Sequence, residues 1–118
     1  MLLAEQLIHC ATRDRFRLER SLAKIQSRLK AGKPAFKDIA RIKQELDASS
    51  AWVNKRKSLV PEVQYPKALP VVTEIEEIKK VISDNQVVVL AGETGSGKTT
   101  QLPKICLELG LGLKGQIG

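Results

Sequence analysis

The sequence predicts a mainly α-helical chain that closes with one β-strand, a glycine-rich loop and a further helix. Apolar residues recur at helical spacing in the first part, prolines interrupt the middle, and a β-branched run precedes the glycine-rich loop. We therefore expect three segments. Residues 1–57 form a basic helical hairpin, residues 58–72 a Pro-containing linker, and residues 73–118 the start of an α/β domain.

The hairpin is predicted from two apolar stripes separated by a helix-breaking turn. No Pro or Gly occurs from Leu2 to about Lys30, and Gly32-Lys33-Pro34 then ends the first helix. Asp38 is expected to cap the start of the second helix. The first stripe consists of Leu18, Leu22, Ile25 and Leu29, and the second of Ile39, Ile42, Leu46 and Val53.

The linker is predicted from Pro61, Pro66 and Pro70, which favour an extended path over a central strand. After it, Thr73 and Glu76 have the spacing of a capping box, and they predict a helix that ends near Asp84-Asn85. The β-branched run Val87–Leu90 has no polar alternation. This is typical of a strand that is covered on both faces of a parallel sheet.

Charge is distributed unevenly along the 118 residues, whose net charge is +7. Residues 1–60 contain 14 Lys and Arg against 6 Asp and Glu, whereas residues 61–118 contain 6 against 7. An excess of this kind favours a polyanion such as nucleic acid as the partner of the first half, and a solvated basic helix surface is the alternative. Two distant cysteines and no long apolar run indicate a reduced, cytoplasmic setting without a membrane partner.

The glycine-rich loop Gly92–Thr99 matches the pattern G-x-x-x-x-G-K-[ST] of a P-loop (Walker A motif). Glycines let backbone N–H groups approach phosphate oxygens, and the N-terminus of the following helix, expected near Gly97, faces the same anion. Lys98 is predicted to contact the β- and γ-phosphates, and Thr99 to bind Mg²⁺ through its hydroxyl. The residues expected to bind nucleotide are Gly92, Glu93, Thr94, Gly95, Ser96, Gly97, Lys98, Thr99 and Thr100.

The run Ala91–Pro103 extends this match and resembles motif I of the DEAH-box RNA helicases of superfamily 2. The segment from Tyr65 to Val89 resembles the beginning of the first RecA-like domain in that family. Asp14–Leu18 resembles the N-terminal extension of its bacterial HrpA-type members. The resemblance implies an incomplete RecA-like α/β P-loop NTPase domain, use of ATP or other nucleoside triphosphates with Mg²⁺, and a hydrolase that remodels RNA. It also implies that the basic hairpin is an accessory module whose partner is RNA or a ribonucleoprotein. Glu93 is as suited to shaping the loop as to contacting substrate.

Hydrolysis also needs an acidic Mg²⁺ ligand and a group that orients water. The resemblance implies that these groups lie on an Asp-Glu-x-His motif far downstream of the loop. Glu108 is the sole carboxylate after Pro103, and at 1.5 Å per residue it lies about 15 Å from Lys98 along a helix. We therefore expect no complete catalytic set and no ATP turnover by this chain alone. Two alternatives stay open: a non-hydrolysing basic RNA-binding fragment, and another P-loop ATPase such as a transporter or secretion motor.

Overall fold

A computed structural model describes residues 3–118, and these residues form two compact units. The first unit comprises the described residues up to Leu59 together with Leu113–Gly115. The second comprises Val60–Gly112 and Gln116–Gly118. We describe each unit by itself.

The first unit contains three α-helices and one 3₁₀ helix. These are α1 (Leu3–Gln6), the 3₁₀ helix (Leu7–His9), α2 (Thr12–Lys30) and α3 (Phe36–Ser58). Helices α2 and α3 pack on each other as the predicted hairpin. Their shared core contains Leu7, Cys10, Leu18, Leu22, Ile25, Ala35, Ile42 and Leu46.

The first predicted helix is interrupted, and Leu2 lies outside the described residues. Cys10 and Ala11 are buried and extended, so the chain leaves its helical path before α2 begins. The buried Ser49 hydroxyl accepts a hydrogen bond from the Ala11 N–H at 3.0 Å and donates to Asp14 at 2.8 Å. A side chain of α3 thereby satisfies the backbone group at the start of α2, which no local spacing in the sequence reveals.

The predicted cap of α3 is wrong, whereas the predicted end of α2 is confirmed. Ala35 stands at the N-cap of α3, and Asp38 lies inside the helix, where it forms an ion pair with Arg28 of α2. Helix α2 ends at Lys30, and Gly32 follows with φ of 69°. A left-handed residue just after the last turn ends a helix because its backbone turns away from the axis.

The second unit contains a 3₁₀ helix (Pro70–Glu74), α4 (Ile75–Asp84) and α5 (Lys98–Glu108). The Thr73 hydroxyl donates to the Pro70 carbonyl at 2.8 Å. Glu74 stands at the N-cap of α4, and no side chain there accepts a hydrogen bond from a free N–H, so the predicted capping box is wrong. The core of this unit consists of Val71, Ile75, Ile78 and Ile105, with Tyr65, Leu69, Leu90 and Leu102 packed against it.

The predicted fold class, an opening β–P-loop–α unit of a RecA-like domain, is contradicted. The described residues are helical or irregular and contain neither a strand nor a sheet. Val87 and Val89 are 82% and 89% exposed, whereas Leu90 packs on the core, so one side of this segment is covered. A strand is defined by hydrogen bonds to a neighbouring strand, and no other described residue offers Val87–Leu90 such a partner. None of the helices in the described range is both long and apolar enough to cross a bilayer.

Candidate functional site

The glycine-rich loop reaches α5 through two residues in the left-handed region. Gly95 has φ of 83° and Gly97 has φ of 95°. The Ser96 N–H donates to the Glu93 carbonyl at 3.2 Å, and the Ser96 carbonyl accepts from the Val71 N–H at 3.1 Å. The loop is therefore folded on itself and is joined by a hydrogen bond to Val71, the buried residue of the 3₁₀ helix.

Gly97 lies against the core of the second unit. A Cβ at this position would stand 2.9 Å from Cδ1 of Leu69 and 3.1 Å from Cγ1 of Val71. Both distances are shorter than the 3.5–4.0 Å at which carbon atoms attract each other. Glycine is therefore required here by space as well as by its positive φ.

Lys98 extends back over the loop that precedes it. Its ammonium group donates hydrogen bonds to the Gly92 carbonyl, to the Glu93 carbonyl at 2.8 Å and to the Ser96 hydroxyl at 3.2 Å. A Cβ at Gly92 would lie 3.4 Å from the Lys98 side chain. The cation is thus held inside the turn, among three oxygen atoms.

Helix α5 begins at Lys98, as the sequence predicts, and Gly97 is its N-cap. The first backbone bond at this end runs from the Gln101 N–H to the Gly97 carbonyl at 2.9 Å. The N–H groups of the three preceding residues therefore have no partner within the helix. Because the helix dipole is positive here, this end favours an anion.

A cavity of about 380 Å³ lies beside the loop. Residues of the loop form one wall, and Pro70, Val71 and Ile78 contribute the apolar part. Two carboxylates, Glu74 and Glu93, also line it. Sequence reasoning missed Glu74, because the capping-box pattern assigned that segment to a helix start.

A polar network behind the loop was also missed. The side chain of Gln101 is buried; its amide nitrogen donates to the Thr100 hydroxyl at 2.9 Å, and its oxygen accepts from Lys104 at 3.0 Å. Lys104 donates in addition to the Gln64 carbonyl. In the sequence, Gln101 is marked only by its position two residues after the P-loop pattern, and this position does not indicate what its side chain contacts.

A second polar cluster joins α4, α5 and the segment before them. Glu108 accepts hydrogen bonds from Lys79 at 2.6 Å and from the Tyr65 hydroxyl at 2.9 Å. The bond from Lys79 holds the pKa of Glu108 below its ordinary value of 4.5. Burial, reinforced by the bond to Glu108, raises the pKa of Tyr65 to about 12. Glu108 is engaged in this cluster and does not line the cavity beside the loop.

Of the nine residues expected to bind nucleotide, the six from Gly92 to Gly97 form the loop and the other three form the first turn of α5. Glu93, Thr94, Thr99 and Thr100 are exposed, and Ser96 and Lys98 are half-buried. These residues fit a nucleoside triphosphate with Mg²⁺: backbone N–H groups and an ammonium for phosphates, and an exposed Thr99 hydroxyl for the metal. Within residues 3–118, no group of three His, Cys, Asp or Glu side chains is placed to hold a metal ion.

Three comparisons with curated proteins bear on this site. The chain is 44% identical over 118 residues, 98% of its length, to the ATP-dependent RNA helicase HrpA of Escherichia coli. It is 54% identical over 80 residues, 67% of its length, to an ATP-dependent RNA helicase HrpA homolog of Haemophilus influenzae. It is 46% identical over 50 residues to the probable ATP-dependent RNA helicase kurz of Drosophila melanogaster, which covers 42% of the chain.

The chain spans a small part of these relatives, namely 9%, 6% and 4% of their respective lengths. No protein-family model matches it.

Proposed function

Because this chain is a relative of the HrpA-type, DEAH-type ATP-dependent RNA helicases and matches their N-terminal portion, we propose that its P-loop binds ATP in a protein that remodels RNA. Other nucleoside triphosphates are accepted at the same loop. The chain supplies the phosphate-binding part of the site, and the groups that complete hydrolysis belong to the remainder of such a helicase.

The observation that carries this proposal is the position of Lys98. Its ammonium group sits within the turn of Gly92–Gly97, directly before the free N–H groups of α5. Its present partners are carbonyl and hydroxyl oxygens, which phosphate oxygens replace when nucleotide binds. In the present bonds only the donor is charged, whereas in a bond to phosphate both the donor and the acceptor are charged, so the exchange is favourable.

Each remaining residue has a physical task in this proposal. Gly95 and Gly97 give the loop its left-handed turns and bring backbone donors to the phosphates. Thr99 offers its hydroxyl to Mg²⁺, which neutralises phosphate charge when bound. Gln101 holds the Thr100 hydroxyl from behind the loop and is a positioning residue.

RNA is the partner that we propose for the longer protein, in the reduced setting of the cytoplasm. Both cysteines are free, with Cys10 buried, as expected there. The relatives are RNA helicases by name, which supports RNA over other polyanions.

Calorimetric titration of the 118-residue chain with MgATP tests nucleotide binding. We expect saturable binding that Lys98→Ala weakens about tenfold or more, because charge-assisted bonds to phosphate are lost. Lys80→Ala is the matched control, since Lys80 is an exposed cation of the same unit that lies outside the loop. Equal binding by the wild type and Lys98→Ala, or none by either, contradicts the proposal.

Two further readouts separate the alternatives. We expect turnover by this chain to stay at background, and robust turnover abolished by Lys98→Ala would show that the catalytic set is complete. In the longer helicase, RNA binding should depend on nucleotide. Independence of the two would favour a simple RNA-binding protein.

A further inference from the structure

One face of α2 carries cations along most of its length. Arg13, Arg17, Arg20, Lys24 and Arg28 follow one another at spacings of 4, 3, 4 and 4 residues. Residues three or four apart are neighbours on a helix, so these side chains form one continuous stripe. The buried residues of α2, which are Leu18, Leu22 and Ile25, lie on the other side of the helix.

The stripe contains two kinds of cation. Three are ion-paired: Arg13 with Asp14 at 3.8 Å, Arg17 with Glu45 of α3, and Arg28 with Asp38. No carboxylate within residues 3–118 lies at ion-pair distance from Arg20 or Lys24. The paired arginines are occupied by carboxylates of the hairpin, whereas Arg20 and Lys24 remain available to an anion from outside.

Aromatic side chains lie beside these cations. Phe16 is 69% exposed, and the Arg20 guanidinium stands 5.7 Å from the centre of its ring. Arg13 and Arg56 both approach the ring of Trp52, at 4.6 and 4.7 Å. Such stacking restricts a long flexible side chain, which lowers the entropy lost when it binds a ligand.

We propose that this face of the hairpin binds single-stranded RNA. Phe16 stacks on a base, and Arg20 and Lys24 contact successive phosphates. An exposed aromatic beside two unpaired cations suits a strand that offers a flat base and a charged backbone together. A duplex keeps its bases stacked inside, and an acidic peptide has no base for Phe16. The inference rests on the proposed function only in taking RNA as the polyanion.

Fluorescence anisotropy with a labelled, unstructured single-stranded RNA of about 12 nucleotides tests the role of Phe16. The protein is the 118-residue chain. We expect Phe16→Ala to weaken binding about fivefold or more, and Phe16→Trp to retain it, because a stacking partner is lost only in the first. Phe36→Ala is the control, since Phe36 is 83% exposed in the same unit but lies outside the cationic stripe.

The salt dependence tests the cations. Removing one phosphate contact lowers the slope of log affinity against log salt by about 0.7 for a single strand. Lys24→Gln should show this change, whereas Lys43→Gln, which removes an exposed cation of α3 outside the stripe, should not. Circular dichroism melting of each variant verifies that the hairpin is intact.

Every outcome of these titrations decides the assignment. RNA binding that Phe16→Ala and Phe36→Ala affect equally places the RNA elsewhere and overturns it. Absence of RNA binding overturns it as well, and so does polyglutamate that competes as well as RNA. None of these results decides whether the P-loop binds nucleotide, because MgATP binding by the same wild-type sample is measured separately.

Discussion

Replacing Gly97 by alanine introduces a methyl group where the loop meets the core of the second unit. Two terms contribute to the cost. Placing a non-glycine residue in the left-handed region costs about 1–2 kcal/mol of conformational energy. The new Cβ would also stand 3.1 Å from Cγ1 of Val71, a buried and β-branched residue that has little room to move. Such overpacking costs about 1–2 kcal/mol more.

Gly95→Ala separates these two terms. Gly95 also has a positive φ, of 83°, but a Cβ there meets nothing within 4 Å. Its substitution therefore carries the conformational cost alone. We expect Gly97→Ala to destabilise the second unit by about 1–2 kcal/mol more than Gly95→Ala, which is about a 5- to 30-fold difference in the opening equilibrium.

Hydrogen exchange of the amides in α4 and α5 measures this difference, because exchange reports local opening. Fluorescence of Trp52 is unsuitable, since Trp52 belongs to the first unit. The expected result is faster exchange in Gly97→Ala than in Gly95→Ala, with both faster than in the wild type. Equal exchange in the two variants would refute the claim that Gly97 is packed against Val71.

Three more outcomes follow from the two units. Tyr65→Phe should lower the free energy of unfolding of the second unit by about 1 kcal/mol, because Glu108 loses a hydrogen-bond donor. Hydrogen exchange in urea measures this change, and an unchanged stability would contradict the bond between Tyr65 and Glu108. The pKa of Glu108 is lowered, so its contribution is present above pH 4.5 and lost as pH falls through the folded pKa. The pKa of Lys79 is raised, so its contribution to stability is present below pH 10.5 and is lost as pH rises through the folded pKa. If the stability of the second unit did not change with pH in either range, the proposed role of this cluster would be wrong. Ser49→Ala should lower the stability of the hairpin by about 1–3 kcal/mol in thermal melts, because the Ala11 N–H loses its acceptor, and Ser50→Ala should lower it by less. Equal effects of the two substitutions would contradict the hydrogen bond assigned to Ser49.

Local patterns predicted most of the helices. The apolar spacing around Leu18 and Leu46 identified α2 and α3, and the P-loop pattern identified the start of α5 at Lys98. These signals are contained within a few turns, so one sequence suffices to detect them. That this loop takes nucleotide stays a prediction.

Contacts between distant residues were beyond sequence reasoning. The strand expected at Val87–Leu90 failed because an apolar run indicates burial only where a partner covers it. Ser49 bonds to Ala11 across 38 positions, and Tyr65 bonds to Glu108 across 43. No periodicity links such pairs, and both emerge only once the helices pack.

The most direct measurement is an NMR titration of the isotopically labelled chain with the Mg²⁺ complex of a non-hydrolysable ATP analogue. We expect the largest amide shifts to fall on Gly92–Thr100, since the N–H groups there contact the phosphates. In Lys98→Ala the same shifts should require about tenfold more nucleotide or better, in line with the weaker binding, while the spectrum stays dispersed. Shifts centred on the hairpin, or none at the loop under saturating nucleotide, would contradict the assignment of this loop as a nucleotide site.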